Sequence, residues 1–258
     1  MLAAERQQLI YKQVCDHGIV YVNELVKELD VSAPTVRNDL DKLVKKNHFI
    51  SRIHGGITLN NTQAPNDYSG HITSYNERRI TSRKEKKEIA NKAVELINEG
   101  ETLMLDSSST CLELANALKR QKKITVITNG LATASVLNRN PAVTTVVIGG
   151  VLKTDSNTIV YDELENTFLK YSNIDKYFFS ASGLSLEAGF SEYDFLEVKH
   201  KRANVLAAKQ SIALIDNSKF DKDSSSTFCN LSEVDYLVTD SSLAPDTKLQ
   251  YQKKITIL

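Results

Sequence analysis

The sequence predicts an α/β protein in two parts: a compact helical unit closed by a β-hairpin, then a larger domain with a mainly parallel sheet. Three observations carry this. Apolar residues recur at helical spacing from Leu9 to Val44. A polar stretch containing Pro65 and Gly70 interrupts the chain at 60–75. From Thr102 onward, short apolar runs alternate with helical patterns, as βα repetition requires.

The elements follow in order. Leu9, Ile10 and Val14 share a helix face, and Gly18 stops that helix. A short helix near Val22–Leu29 turns Leu25, Val26 and Leu29 to one side. Asp30 and Val31 make a tight turn, Ser32 is placed to cap a third helix, and Pro34 is tolerated in its first turn. Val36, Leu40, Leu43 and Val44 form that helix's apolar face, with Thr35, Asn38, Lys42 and Lys45 opposite and Arg37 on the flank. Phe49–Ile53 reads as a strand, with Gly55 and Gly56 as a hairpin turn into Ile57–Leu59. The first domain is thus 1–59, the linker 60–75 and the second domain 76–258. In the second, a basic helix leads into Ile89, Ala93, Leu96 and Ile97 and ends at Gly100. Strands are expected at Thr102–Leu105, Ile124–Ile127, Val143–Ile148, Tyr177–Phe179, Ile212–Ile215, Tyr236–Val238 and Ile255–Leu258. Helices are expected at about 111–120, 131–139, 162–171 and 193–209.

Composition narrows the function classes. The 258 residues are 41% hydrophobic and 25% charged, ordinary for a globular chain. No apolar run approaches the roughly 20 residues of a membrane helix, so no membrane partner is expected. The first eight residues lack the apolar core of a signal peptide, and a cytoplasmic location is expected. Cys15, Cys111 and Cys229 are odd in number and far apart, which fits buried thiols in a reducing compartment. They make no metal-ligand spacing; neither a metal nor a cofactor is expected. Net charge is zero, but basic residues are concentrated early. From Ser32 to Gly56 there are five against two acids, and from Asn76 to Lys87 six against two.

The first unit has the parts of a winged helix-turn-helix, in which the second helix of the pair enters the DNA major groove. Ser32, Thr35, Arg37, Asn38, Lys42 and Lys45 are the candidate contacts on or beside that helix, and Arg52 and His54 those on the wing. Arg37 can meet phosphate or guanine. The competing reading is a small bundle with a solvated basic face. The order of signals favours the winged helix: Val31-Ser32-Ala33-Pro34-Thr35-Val36-Arg37-Asn38-Asp39-Leu40, then Arg52-Ile53-His54-Gly55-Gly56. That string resembles the signature of DeoR-family transcription regulators. The family usually has a second Arg at the position of Asn38, a substitution that removes one charge and bears on sequence preference.

The resemblance extends over nearly the whole chain. It implies a C-terminal sugar-phosphate sensor domain that is Rossmann-like and related to ribose-phosphate isomerase-like folds. The family landmark is a strand ending in Asp, a short Ser/Gly/Thr loop, then a helix; here it is Leu105-Asp106-Ser107-Ser108-Ser109-Thr110. A helix N-terminus offers free N–H groups and a positive dipole end, hydroxyls add donors, and Asp106 can accept from sugar hydroxyls. Taken alone, the loop also reads as a helix capped by Ser109 or Thr110. Further landmarks stand at strand ends, where ligands of open α/β sheets gather: Thr128 and Asn129, Gly149 and Gly150 with Lys153, Ser182 with Gly183, Glu197, and Asp216 with Lys219. Glu197 and Lys201 also read as a solvated i,i+4 pair. The chain departs from the family pattern at Ser108 and Ser109, where Gly and Thr are usual, at Tyr161, where Gly is usual, and at Asp194, where Asn is common.

The resemblance implies a regulator, expected here to repress a carbohydrate-utilisation operon. Its partners would be double-stranded operator DNA, a phosphorylated sugar effector and copies of itself, as a dimer or tetramer. Two alternatives stand beside it: a sugar-phosphate isomerase-like enzyme using Asp106, Glu197 and Lys219, and a constitutive DNA-binding protein whose second domain only oligomerises.

Overall fold

The computed structural model describes residues 3–17, 19–46, 50–53, 55–59, 75–118, 123–153, 156–160 and 172–258. His54, Tyr161, the helix expected at 162–171 and the linker positions 60–74 lie outside them. The chain divides into two compact units, Met1–His71 and Ile72–Leu258.

In the first unit, helices α1 (Ala3–His17), α2 (Val22–Leu29) and α3 (Ala33–Lys46) enclose a core of Ile10, Val14, Leu25, Val36, Leu40 and Ile57. Asp30, in the left-handed conformation at φ 49°, turns the chain from α2 into α3. Ser32 stands just ahead of α3, where its carbonyl accepts from the Val36 N–H and its hydroxyl meets that of Thr35 at 2.9 Å. The wing is richer than the sequence indicated. β1 (Ile19–Tyr21), β2 (Ile50–Ile53) and β3 (Gly56–Leu59) form a sheet in the order β1-β3-β2. β1 has only three residues, too few for a periodic signal. The hairpin turn lies one residue earlier than expected: Gly55, at φ 82°, makes it, while Gly56 belongs to β3. A Cβ on Gly56 would fall 2.2 Å from the Val20 carbonyl oxygen, so only glycine lets β1 approach.

The second unit opens with two helices, α4 (Tyr75–Ile80) and α5 (Arg83–Val94), broken at Ser82, which sits at φ 52°. Tyr75, assigned to the linker by sequence, is helical and buried. All seven strands expected from the apolar runs are present in one parallel sheet: β4 (Thr102–Leu105), β5 (Ile124–Thr128), β6 (Val143–Val147), β9 (Lys176–Phe179), β12 (Gln210–Leu214), β14 (Tyr236–Val238) and β15 (Thr256–Ile257). Their order is β15-β14-β12-β9-β4-β5-β6. Side chains alternate between faces. Met104, Tyr177, Phe179 and Ala213 enter one core; Leu103, Leu105, Phe178 and Ile212 enter the other with Ile89 and Leu114 of the helices. Covering on both faces explains why these strands read as continuous apolar runs.

The flanking helices are α6 (Ser109–Ala117), α7 (Leu131–Leu137), α8 (Phe195–Ala207) and α9 (Pro245–Gln252). A second sheet escaped the sequence reading: β10 (Gly183–Ser185), β11 (Gly189–Glu192) and β13 (Ser226–Cys229), antiparallel. So did the short hairpin of β7 (Val151–Leu152) and β8 (Ile159–Val160). Cys111 and Cys229 are buried free thiols, as expected. Among the described residues, no helix is long and apolar enough to cross a membrane.

Candidate functional site

Each unit carries a candidate site. In the first, α3 buries Val36, Leu40 and Leu43 and exposes Arg37, Asn38, Asp41, Lys42 and Lys45, with Thr35 half-buried. The exposed face therefore carries most of the predicted contacts. Arg52, on β2, is held beside α3: its Nε lies 2.9 Å from the Asp41 carboxylate, and Nη1 donates to the Gly56 carbonyl at 3.3 Å. Asp39 behaves differently from its neighbours. It is buried, and it accepts from Arg6 Nε at 2.5 Å and Gln7 Nε2 at 2.8 Å, both on α1. These bonds lock α3 to α1, and sequence reading had not singled Asp39 out.

In the second unit, the sheet winds outward in two directions, through β5 and β6 on one side of β4 and through β12, β14 and β15 on the far side of β9. Such a reversal opens a crevice beyond the carboxyl ends of the strands. Asp106 follows β4 and Ser180 follows β9, and they are bonded across the junction. One Asp106 carboxylate oxygen accepts from the Ser180 N–H at 2.9 Å, and the other from the Ser108 N–H at 2.9 Å. Lys201 Nζ lies 3.2 Å from the same carboxylate. Burial pushes the Asp106 carboxyl up, but Lys201 and these donors outweigh it and hold the carboxyl below the usual range. Asp106 is therefore a buried strut of the loop, a different task from the sugar-hydroxyl acceptor expected of it.

Beside this strut lies a cleft lined by Arg78, Lys86, Ser108, Ser109, Thr110, Ser180, Ser182, Glu192, Asp216 and Lys219. Ser108, rather than Ser109 or Thr110, caps α6, accepting from the Cys111 N–H. The N–H groups of Ser109 and Thr110 have no partner among the described residues. Lys86 is buried, its ammonium donating to the carbonyls of Arg78 at 2.5 Å and Thr81 at 2.8 Å. Burial, reinforced by Lys219 and Arg78 and opposed by Asp216, lowers its pKa to about 8. Glu192 accepts from Lys201 and from the Ser182 hydroxyl, so its charge is met. Of the acids lining the cleft, this leaves Asp216, whose carboxylate caps the turn at Ser218, against Arg78, Lys86 and Lys219. The cleft has the charge and donors to hold an anionic oxygen group.

A second small cavity lies behind the loop, lined by Asp106, Ser107, Asn129, Tyr177, Glu197, His200, Lys201 and Asn204. Here the solvated reading of Glu197 and Lys201 is overturned. Both are buried, and each pairs elsewhere: Lys201 with Asp106 and Glu192, Glu197 with Lys153 at 3.5 Å. Burial and the Glu192 charge raise the Glu197 pKa. Asp194 caps α8 and pairs with Lys153, so the carboxylate that stands where Asn is common in the family has its counter-charge. The other predicted residues divide by task. Ser107 is bonded to Thr158 at 2.7 Å, Thr128 accepts from the Gly130 N–H, and Asn129 donates to the Ile159 carbonyl. Gly183 packs against the Lys222 carbonyl, where a Cβ would come within 2.5 Å. Gly149 and Gly150 are exposed and line neither cavity. Glu197 and Lys219 line different cavities, so the acid–base set of the enzyme alternative does not converge.

Sequence reading missed Arg78, Lys86 and Lys201 as site residues, yet two of them carried a signal. Lys86 falls on the apolar stripe with Ile89, Ala90, Ala93 and Val94. Lys201 falls on the buried stripe with Val198 and Val205. A lysine on a buried face is there because something fixed pairs with it.

Comparison with known proteins follows the same division. A model of the DeoR-like helix-turn-helix domain matches residues 6–63, and one of the DeoR C terminal sensor domain matches residues 81–241. The HTH-type transcriptional regulator GolR of Listeria innocua is 32% identical over 98% of this chain and 95% of its own length. The glycerol-3-phosphate regulon repressor of Escherichia coli is 30% identical over 93% of this chain and 92% of its own. Among solved structures, ribose 5 phosphate isomerase A from Neisseria gonorrhoeae aligns with a TM-score of 0.39 and 19% identity, over 58% of this chain and 56% of that one.

Proposed function

The chain belongs to the DeoR family of transcriptional regulators, and from that premise we propose that it represses a carbohydrate-utilisation operon under the control of a phosphorylated sugar. The observation that carries the proposal is the cleft at the start of α6, where three cations, the hydroxyls of Ser108, Ser109 and Thr110 and two free N–H groups converge. A phosphate suits that donor set. The named relatives include the glycerol-3-phosphate regulon repressor, whose regulon is named for a small phosphorylated polyol. The exposed face of α3 reads the operator, with Arg37, Asn38, Lys42, Lys45 and Arg52 as contacts. Two half-sites read together call for a homo-oligomer, a dimer or tetramer. Effector binding shifts the population of DNA-competent conformers.

The test is binding of the full chain to DNA upstream of its own operon, with and without a panel of sugar phosphates. Salt-sensitive binding altered by one compound supports the proposal; no binding at any salt concentration defeats it. In the same assay Arg37→Ala should weaken binding by about tenfold to a hundredfold, equivalent to about 1–3 kcal/mol, with an unchanged melting temperature. Unchanged affinity would remove Arg37 from the interface.

The cleft also predicts a pH dependence. A bound anion favours the protonated form of Lys86, so binding takes up a proton where the free group is neutral, above about pH 8. A sugar phosphate is already a dianion there, its second pKa being about 6. Effector affinity should hold below pH 8 and fall by up to about tenfold per pH unit above it. Titration calorimetry at about pH 7 and about pH 9.5, on either side of the Lys86 titration, reads this directly, and equal affinities would place the anion away from Lys86.

A further inference from the structure

We infer that helix α4 supplies ligand contacts to the effector site through Arg78 and Tyr75, so that the site is complete only when this helix is held against it. The inference rests on the sugar-phosphate reading above and assigns two residues to it. Tyr75 is buried, and its hydroxyl has no hydrogen-bond partner among the described residues; the same holds for Arg78 Nε, on a side chain that lines the cleft. Buried donors in folded proteins are paired in the great majority of cases. Two orphans on one six-residue helix therefore point to an acceptor that the described protein does not supply.

The nearby acids do not fill the role. The Tyr75 hydroxyl is raised to about 12, by burial first, and it feels the charges of Arg79, Arg78, Asp106 and Glu113. Asp106 is already committed to Lys201, Ser108 and Ser180, and Glu113 to Arg83 at 3.3 Å. The surplus near α4 is positive, so the missing acceptor is an anionic oxygen. The helix is also held by the cleft itself. Lys86 Nζ and the Ser109 hydroxyl both donate to the Arg78 carbonyl, and Lys86 reaches the Thr81 carbonyl as well. A helix this short has little stability of its own, and its anchors are residues that face the anion. α4 is also the first described element after segment 60–74.

The experiment uses the full chain and two variants, Arg78→Gln and Tyr75→Phe. Thermal shift is measured with inorganic phosphate and a sugar-phosphate panel, and operator binding with and without the responding compound. Both variants should lose about tenfold or more in effector affinity, as for a hydrogen bond to a charged group. The ratio of operator affinities with and without effector should fall toward one in Arg78→Gln. Ligand-free Tyr75→Phe should melt at the same temperature as the wild type or higher, because an unpaired buried hydroxyl is removed. A purely structural hydroxyl would give the opposite sign. Wild-type effector affinity in Arg78→Gln overturns the inference while leaving the sugar-phosphate reading intact. A Tyr75→Phe protein that melts lower and binds effector normally overturns the assignment of Tyr75. A wild-type protein that responds to no compound overturns the sugar-phosphate reading, and the inference with it.

Discussion

Lys201→Met should destabilise the second unit by about 3–5 kcal/mol, the usual result of removing one partner from a buried ion pair. Lys201 is buried at the junction of β4 and β9, where its ammonium meets Asp106, Glu192 and the Ser180 carbonyl. Burial alone would lower its pKa, but Glu192, Asp106 and Glu197 raise it, so it stays charged. Methionine fills similar space and leaves two carboxylates in a dry setting with no counter-charge. The sign of the pH response separates this account from simple loss of packing. Without Lys201, burial dominates at Asp106, and protonation relieves the cost. The deficit relative to wild type should therefore shrink as pH falls from about 8 toward about 5. Denaturant melts of the second unit at the two ends of that range check it. A deficit that does not change with pH would assign the loss to shape.

The second large effect belongs to the DNA-binding unit. Asp39→Ala should cost that unit about 3–5 kcal/mol, because it removes the buried carboxylate that accepts from both Arg6 and Gln7. Operator binding should fall with it, since α3 is held at its angle to α1 by this pair and by Gln7. Asp39→Asn keeps one acceptor for Gln7 and should lose less. With two compact units in one chain, a single two-state analysis does not apply. The check is a calorimetric scan of the full chain together with operator affinity; a variant that keeps the wild-type values of both would make Asp39 dispensable.

The sheet was legible because parallel strands covered on both faces leave continuous apolar runs. Ile124–Thr128 and Ile212–Leu214 could hardly read as anything else. The antiparallel sheet was not legible, because Gly183–Ser185 and Ser226–Cys229 are short and rich in small polar residues, and they owe their strand geometry to their partners. The break at Ser82 was hidden for a related reason: a left-handed serine has no sequence signature comparable to glycine's. In the site, the loop Ser107–Thr110 and Lys219 were legible from their place after strands. The roles of Asp106 and Lys201 were not, because i,i+4 spacing describes neighbours on one helix and says nothing of charges arriving from other strands.

The reversal of winding between β4 and β9 also bears on when the candidate cleft comes into being. The Asp106 loop and α6 belong to the first half of the second unit; Ser180, Glu192, Lys201 and Lys219 belong to the second half. A ribosome delivers these halves in sequence, and domains generally form as their residues emerge. The helix-turn-helix unit is released first, and the central pairing of Leu103–Leu105 cannot form until Lys176–Phe178 has been made. During synthesis the reading head therefore exists before the cleft is complete.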